Sequence, residues 1–380
     1  MNFELTEEMK MLKDMAYRFA VSEIKPVSQE CDEHEKYLPE IRKKAAQNGL
    51  VGAWIPEQYG GSGAGILGNT IITEEISKID MGISLNVVAS GFGCESILNY
   101  GTEEQKKAYL PGICSGEKVC AGAYTEPNAG TDVAGYKTRA VKDGKDYIIN
   151  GNKMFITNGT VCDFMVAQCI TNPEEKKHNS FSLIIVPADA KGITRNKIHR
   201  KMGIRASDTA EIAFEDVRVP QTNLIGKEGQ GFRQLMHFFD ITRVMVSGQA
   251  LGISEACLET SIRYVKERTA FGAPLGSYQM TQMKLTEMAI RIEALRGLVY
   301  KAAWLIDQGR PDYTLAAMAK FYGGQTAVFS ANYAVELHGG YGYIEEYPVQ
   351  KWYRDAKILE LYEGTKEAEI MTIGRALQAR

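Results

Sequence analysis

Asp146-Tyr-Ile-Ile-Asn-Gly-Asn-Lys-Met-Phe-Ile-Thr-Asn158 is the stretch that separates this chain from an all-helical one. Two β-prone runs flank Asn150-Gly151, a pair suited to a tight hairpin turn, so the stretch predicts a β-hairpin. Phe164 to Ile170, Phe181 to Val186 and Ala210 to Val219 are further strand-like runs. The last alternates, with Ile212 and Phe214 on one face. Turn-rich polar segments separate these runs. The middle third therefore reads as an all-β module of roughly 100 residues.

On either side the apolar period becomes helical. Thr6 can cap a first helix with Glu7 and Glu8 in its opening turn, which suits the helix dipole. Leu5, Met9, Leu12, Ala16, Phe19 and Ala20 then recur at helical spacing, and Pro26 breaks the pattern. Pro39 to Gly49 reads as a short helix with Gly49 as its stop. Helices are expected near 65–79, 82–100 and 102–115. The helical period returns at Gly229-Gln-Gly231. Long helices are expected over 231–267, 278–308 and 312–338, and a last one from about Thr365 to Leu377. Gly248 and Gly252 mark close packing of the first of these against a neighbour. The expected fold class is mostly α with a central β-domain. Residues 1–118 form an N-terminal helical domain, 119–228 a middle domain and 229–380 a C-terminal helical domain.

Bulk properties narrow the function. A chain of 380 residues exceeds one simple core, so two or three domains are expected. The net charge of −3 gives no footprint for nucleic acid. No apolar run approaches the roughly 18 residues of a membrane span. The start, Met-Asn-Phe-Glu-Leu-Thr-Glu-Glu, lacks the basic and apolar regions of a secretory signal. Seven cysteines at irregular spacing, with no C-x-x-C pair, argue against a disulfide frame or structural zinc. Buried thiols in a reducing cytoplasm are the expectation.

Several short motifs carry candidate chemistry. Ile358-Leu-Glu-Leu-Tyr-Glu-Gly-Thr365 holds one carboxylate, Glu363, between an aromatic and a Gly-Thr pair. Gly364 permits a turn that other residues resist, and Thr365 can cap the next helix. The plain reading is a solvated loop acid; the other is a displayed base. In Ala123-Tyr-Thr-Glu-Pro-Asn-Ala-Gly-Thr-Asp132, Thr125 and Thr131 offer donors to a ring edge or phosphate, or the loop is an ordinary strand end. Phe155 and Thr157 share a strand face, as core or as a plate for a planar cofactor. Asp240 and Arg243 are three apart on a helix and form either an ion pair or a ligand contact. Arg268 is a helix end or a pyrophosphate fork. Gly339-Gly-Tyr-Gly342 lacks the strand-then-helix context of a nicotinamide fingerprint.

Together with Met202-Gly-Ile-Arg-Ala-Ser-Asp-Thr209, Phe214-Glu-Asp-Val-Arg-Val-Pro220, Glu267-Arg-Thr-Ala-Phe-Gly272, Glu346-Tyr-Pro348 and Tyr353-Arg-Asp-Ala-Lys-Ile358, these motifs resemble the acyl-CoA dehydrogenase family along essentially the whole chain. The resemblance implies an N-terminal helical domain, a β-barrel-like middle domain and a C-terminal four-helix bundle, assembled as a homotetramer. It implies FAD as cofactor, an acyl-CoA substrate oxidised to a 2-enoyl-CoA, and an electron-transferring flavoprotein as electron acceptor. Glu363 then removes the α-proton. Tyr124, Thr125, Thr131, Phe155, Thr157, Gly340 and Thr365 match cofactor contacts. Arg268, Phe271 and Gln279 match contacts to a neighbouring subunit's FAD. Thr131, Asp240, Arg243 and Gly364 match substrate contacts. Some relatives carry the base at the position of Thr242, which cannot serve as one. Glu336, Glu367 and Ala270 depart from the family's usual Gln, Gln and Thr.

The acyl pocket is expected from residues 80–100. This stretch has no Arg to hold a distal carboxylate, which argues against a dicarboxylic substrate. Small residues there (Ala89, Ser90, Gly91, Gly93) leave room for a branched or cyclic acyl group, or serve helix packing. Asp80 is either a second base for a cyclic acyl group or a helix cap. A flavin oxidase and a non-catalytic acyl-CoA binder are the competing functions.

Overall fold

Twelve α-helices and nine strands follow one another in the order helices, strands, helices; the computed structural model describes residues 4–379. The first block holds α1 (Glu7–Phe19), α2 (Ser28–Glu33), α3 (Pro39–Gln47), α4 (Gly65–Ser77), α5 (Met81–Val88), α6 (Cys94–Tyr100) and α7 (Glu103–Cys114). Thr6 caps α1 as expected, its hydroxyl accepting Met9 N–H at 3.2 Å. Thr102 and Gln105 form a reciprocal capping box on α7. Where one helix was expected over 82–100, the structure has two. Gly93 sits at φ +111° between them, and Gly91 bridges to Cys120 at the start of the sheet. A Cβ on Gly93 would lie 3.3 Å from Cys120 Sγ. The small residues there thus serve a sharp turn packed on the sheet.

The middle block is β1 (Cys120–Ala123), β2 (Arg139–Asp143), β3 (Asp146–Thr157), β4 (Phe164–Ile170), β5 (Phe181–Pro187), β6 (Ile193–Lys197) and β7 (Thr209–Pro220). They make a curled seven-stranded sheet in the order β1-β4-β2-β3-β7-β6, with β5 on the other edge of β4. The hairpin expected at Asn150-Gly151 is absent. β3 runs straight through that pair as a single strand along β7, with a register shift between Ile149 and Gly151. Gly151 is there for space: a Cβ would meet Thr138 Oγ1 at 2.5 Å. Asn150 instead ties β3 to β7 through paired 2.9 Å bonds with Asp216. The real hairpin turns at Gly144, φ +61°, between β2 and β3.

Alternation along β4 divides two cores. Phe164 and Val166 join the core shared with the helices, while Met165, Ala167 and Cys169 fill the core within the curled sheet. Both faces are covered, so the strand is buried nearly throughout and reads as a continuous apolar run.

The last block holds α8 (Gly231–Glu267), a short β8–β9 hairpin (Thr269–Ala270, Ala273–Pro274), α9 (Gln279–Asp307), α10 (Tyr313–His338), α11 (Val349–Ala356) and α12 (Lys366–Gln378). The α8 bounds match the expectation, as does its close packing. Added Cβ atoms on Gly248 and Gly252 would meet the carbonyls of Thr70 and Glu74 on α4, at 2.9 and 2.1 Å. No described helix is long and apolar enough to cross a membrane. All seven cysteines are buried with free sulfurs.

Candidate active site

Three elements meet at Glu363: α8, α10 and the turn that leads into α12. Glu363 lies at φ +53° and Gly364 at φ +106°. A non-glycine residue in the left-handed region costs of order 1–3 kcal/mol, and such strain concentrates at functional sites. Thr365 closes the turn, its hydroxyl accepting Ala368 N–H at 3.3 Å. Gly364 must stay bare, because a Cβ would come 2.0 Å from Glu369 Oε1.

A charged shelf supports the turn. Lys320 of α10 is 2% exposed and donates to the Gly364 carbonyl. Arg243 of α8 reaches Glu369 at 3.0 Å and the Glu363 carbonyl at 3.4 Å. Asp240 stands 3.7 Å from Arg243, so the Asp-x-x-Arg pair is a real ion pair. Burial raises the pKa of Asp240 to about 6, against the pull of Arg243. Burial raises Glu369 to about 7 and lowers Lys320 to about 8. Thr242 donates to Glu363 Oε2 at 2.5 Å. Glu363 itself is half-open at its surface, yet sits among enough protein that burial raises its pKa. The Thr242 hydrogen bond and the charges of Arg243 and Lys320 oppose that rise. The result is a carboxylate made more basic but still fixed in place, which suits proton abstraction.

Phe238, one turn before Thr242, lies between Phe92 and Tyr124, with ring centroids 4.9 and 5.1 Å away. Near this aromatic wall is a carboxyl that sequence reasoning missed. Glu95 is 2% exposed and accepts Gly93 N–H at 2.8 Å. Burial, reinforced by the charge of Glu363, pushes its pKa to about 8, which favours the protonated form. Lys320 and Glu369 were missed as well. Glu95 and Lys320 are lone charges within apolar helices, whereas Glu369 sits in a charged helix that gives no such signal. Asp80 lies elsewhere. It caps α5 through Ile83 N–H at 2.8 Å, accepts from Ser28 at 2.5 Å and pairs with Lys351 at 3.1 Å. Of its two expected roles, these contacts are those of the cap.

The residues matched to a cofactor fall into two groups. Tyr124, Thr125, Thr131, Phe155 and Thr157 cluster where the β1 exit loop meets β3, joined by a 2.9 Å bond from Met154 N–H to the Thr125 carbonyl. Tyr124 is buried with its hydroxyl beside Ser96; Thr131 is exposed. Phe155, at φ +59°, holds 65% of its surface open. The second group lies at the far end of α8. Arg268 stacks over Tyr341 at 5.8 Å, beside a cavity of about 550 Å³ lined also by Glu336, Gly339 and Gly340. Phe271 is 99% exposed at φ +50°, and Gln279 begins α9, exposed. The acid at Glu336 is paired with Lys284 at 2.5 Å and accepts a hydrogen bond from the Asn332 amide at 2.8 Å. Arg268 lies 25 residues beyond Arg243, or about 37 Å along a helix. The second group therefore does not join the first around Glu363. Open aromatic planes, loop hydroxyls, a cationic fork and bare glycine backbone fit a flat ring system carrying a pyrophosphate tail.

Comparison with known proteins agrees with this arrangement. The N-terminal, middle and C-terminal domains of acyl-CoA dehydrogenases match residues 6–117, 121–217 and 229–378. A short-chain-specific acyl-CoA dehydrogenase of Clostridium acetobutylicum is 42% identical, with 98% of each chain covered. The solved butyryl-CoA dehydrogenase of Megasphaera elsdenii is 39% identical over all of both chains, with a TM-score of 0.96. A structure described as the electron transferring flavoprotein of Acidaminococcus fermentans aligns at 40% identity over all of both chains, with a TM-score of 0.97. Fold and site thus define a flavoprotein oxidoreductase. The chain belongs to the acyl-CoA dehydrogenase family.

Proposed function

We propose that this enzyme oxidises a short, branched or cyclic acyl-CoA to its 2-enoyl-CoA, with Glu363 as the base. The observation that carries the reading is the strained turn at Glu363, braced by Lys320 and Arg243 and tipped by Thr242. An α-proton is weakly acidic, so its removal needs a nearby base of raised pKa and polarisation of the thioester carbonyl. Burial supplies the first. The backbone N–H groups of the turn are the donors for the second. Asp240, Arg243 and Thr131 match the family's contacts to the CoA arm and would hold it.

FAD, the cofactor of this family, would supply the hydride acceptor for Cβ. Tyr124, Thr125, Phe155, Thr157 and Thr365 would hold its ring end, and Arg268, Phe271, Gln279 and Gly340 a tail from a partner subunit. The span of α8 between the two groups favours a homo-oligomer, read here as a tetramer. An electron-transferring flavoprotein is the proposed acceptor and the cytoplasm the proposed location.

The absence of Arg from residues 80–100 favours an uncharged acyl tail. Anaerobic bleaching of the purified flavoprotein by linear, branched, alicyclic and dicarboxylic acyl-CoAs tests this. Bleaching by a C4–C7 uncharged acyl-CoA is expected. Fast bleaching by glutaryl-CoA alone would refute the substrate class.

A further inference from the structure

The Thr242 hydroxyl has one hydrogen and two acceptors. Its Oγ1 is 2.5 Å from Glu363 Oε2 and 3.2 Å from the carbonyl oxygen of Phe238, one turn back on α8. A Thr hydroxyl carries a single donor and two acceptor lone pairs, so its hydrogen serves one neighbour fully at a time. With Glu363 ionised, Oε2 is the stronger acceptor and takes the hydrogen. With a proton on Oε2, that proton needs an acceptor of its own. Thr242 Oγ1 can accept it while its own hydrogen turns to the Phe238 carbonyl. Both protonation states are then satisfied with no heavy atom moving. Thr242 is 1% exposed, so solvent has little access to substitute for the hydroxyl.

We propose that Thr242 is a positioning residue for proton abstraction, its hydroxyl donating to Glu363 beforehand and accepting from it afterwards by rotating to the Phe238 carbonyl. The proposal rests on Glu363 being the base. In the step itself the substrate Cα–H bond breaks and an Oε2–H bond forms on Glu363. The bonding pair stays with the acyl group, and Thr242 keeps its own hydrogen throughout. The rotation costs no desolvation and little reorganisation, which is the property electrostatic preorganisation requires.

Other charges act on Glu363: Arg243 from α8 and Lys320 from α10. Glu369 of α12 and Glu95 of α6 feel its charge, as do Tyr362, Tyr124 and Tyr136. All remain in place when the Thr242 hydroxyl is removed, so a change in the acid limb of the pH profile reports the hydroxyl. Its bond to the carboxylate favours the ionised form. Removing it therefore moves the acid limb of kcat/KM to higher pH.

The experiment uses the flavin-loaded protein and three variants, Thr242→Val, Thr242→Ser and Glu363→Gln, with flavin content, KM and kcat measured from pH 5 to 9. Thr242→Val, nearly isosteric, is expected to keep its flavin and its KM, lose about tenfold or more in kcat, and shift the acid limb upward. Thr242→Ser should restore both kcat and profile. A Val variant with wild-type kcat and profile overturns the proposal, as does a Ser variant as slow as Val. If Glu363→Gln is inactive while Thr242→Val is normal, only the Thr242 role fails. If Glu363→Gln keeps wild-type activity, the base assignment fails and takes the Thr242 role with it.

Discussion

Glu363 and Glu369 lie on the two sides of Gly364, and the second carboxylate fills the space that a side chain at Gly364 would need. The turn is shaped by what lies beneath it. Lys320 and Arg243 hold the carbonyls of Gly364 and Glu363 from below, leaving the Glu363 carboxylate to face Thr242.

The first expectation concerns the base. Glu363→Gln keeps shape and hydrogen bonding but cannot accept a proton. Substrate-driven flavin reduction should fall by about 10²–10⁴-fold, with flavin content unchanged. Stopped-flow bleaching measures this. A rate within a few-fold of wild type would move the base elsewhere.

Gly364→Ala should damage both activity and stability. It places a Cβ 2.0 Å from Glu369 Oε1, at φ +106°. Left-handed strain alone costs about 1–3 kcal/mol. A lower melting temperature and a larger drop in kcat than in flavin binding are expected. An unaltered melting curve would mean that the turn is looser than its contacts imply.

Glu95 makes a pH-dependent contribution whose sign is fixed. Its folded pKa of about 8 lies above an unfolded value near 4.3. Between those values the unfolded chain releases the proton and the folded chain keeps it, so stability falls as pH rises through that window. Glu95→Gln removes the effect. The melting-temperature gain of Glu95→Gln over wild type should widen from pH 5 to pH 8 and level off above. A gain that stays flat across this range would show that Glu95 is ionised in the fold.

Asp80→Asn tests the capping role. The amide keeps the cap on Ile83 but loses the charge facing Lys351. A stability loss on the order of 1–3 kcal/mol is expected from the buried pair. The kcat of the folded enzyme should not change with linear or alicyclic substrates. Selective loss of alicyclic turnover would restore Asp80 as a second base.

Arg268→Ala should weaken cofactor retention and spare the base. Gel filtration would show a lower flavin-to-protein ratio, and added FAD would restore turnover. Full retention would remove Arg268 from the cofactor's tail.

Long periodic elements were legible from the residues alone. The 37 residues of α8 carry their pattern without a break, and their bounds were read correctly. The turn at Glu363 was legible through Gly364 and Thr365. Asn150-Gly151 misled because a glycine can answer to space as well as to curvature, and Thr138 presses on it from another strand. The same ambiguity hid the break at Gly93, which depends on Cys120. Glu95, Lys320 and Glu369 were invisible for a related reason. A charged side chain declares its surroundings only when distant elements fold around it.

Gly248 and Gly252 let α8 settle against the main chain of α4, with the Thr70 methyl and Thr73 beside the contact. The Lys78–Glu255 ion pair closes the same seam further along, so backbone approach and charge together set the register of Thr242 against the N-terminal domain. Residues on the approach to α6 bear on the same helix, through Phe92 packed against Phe238 one turn before Thr242. A change of shape in that wall is thus felt along the helix that carries the hydroxyl facing Glu363.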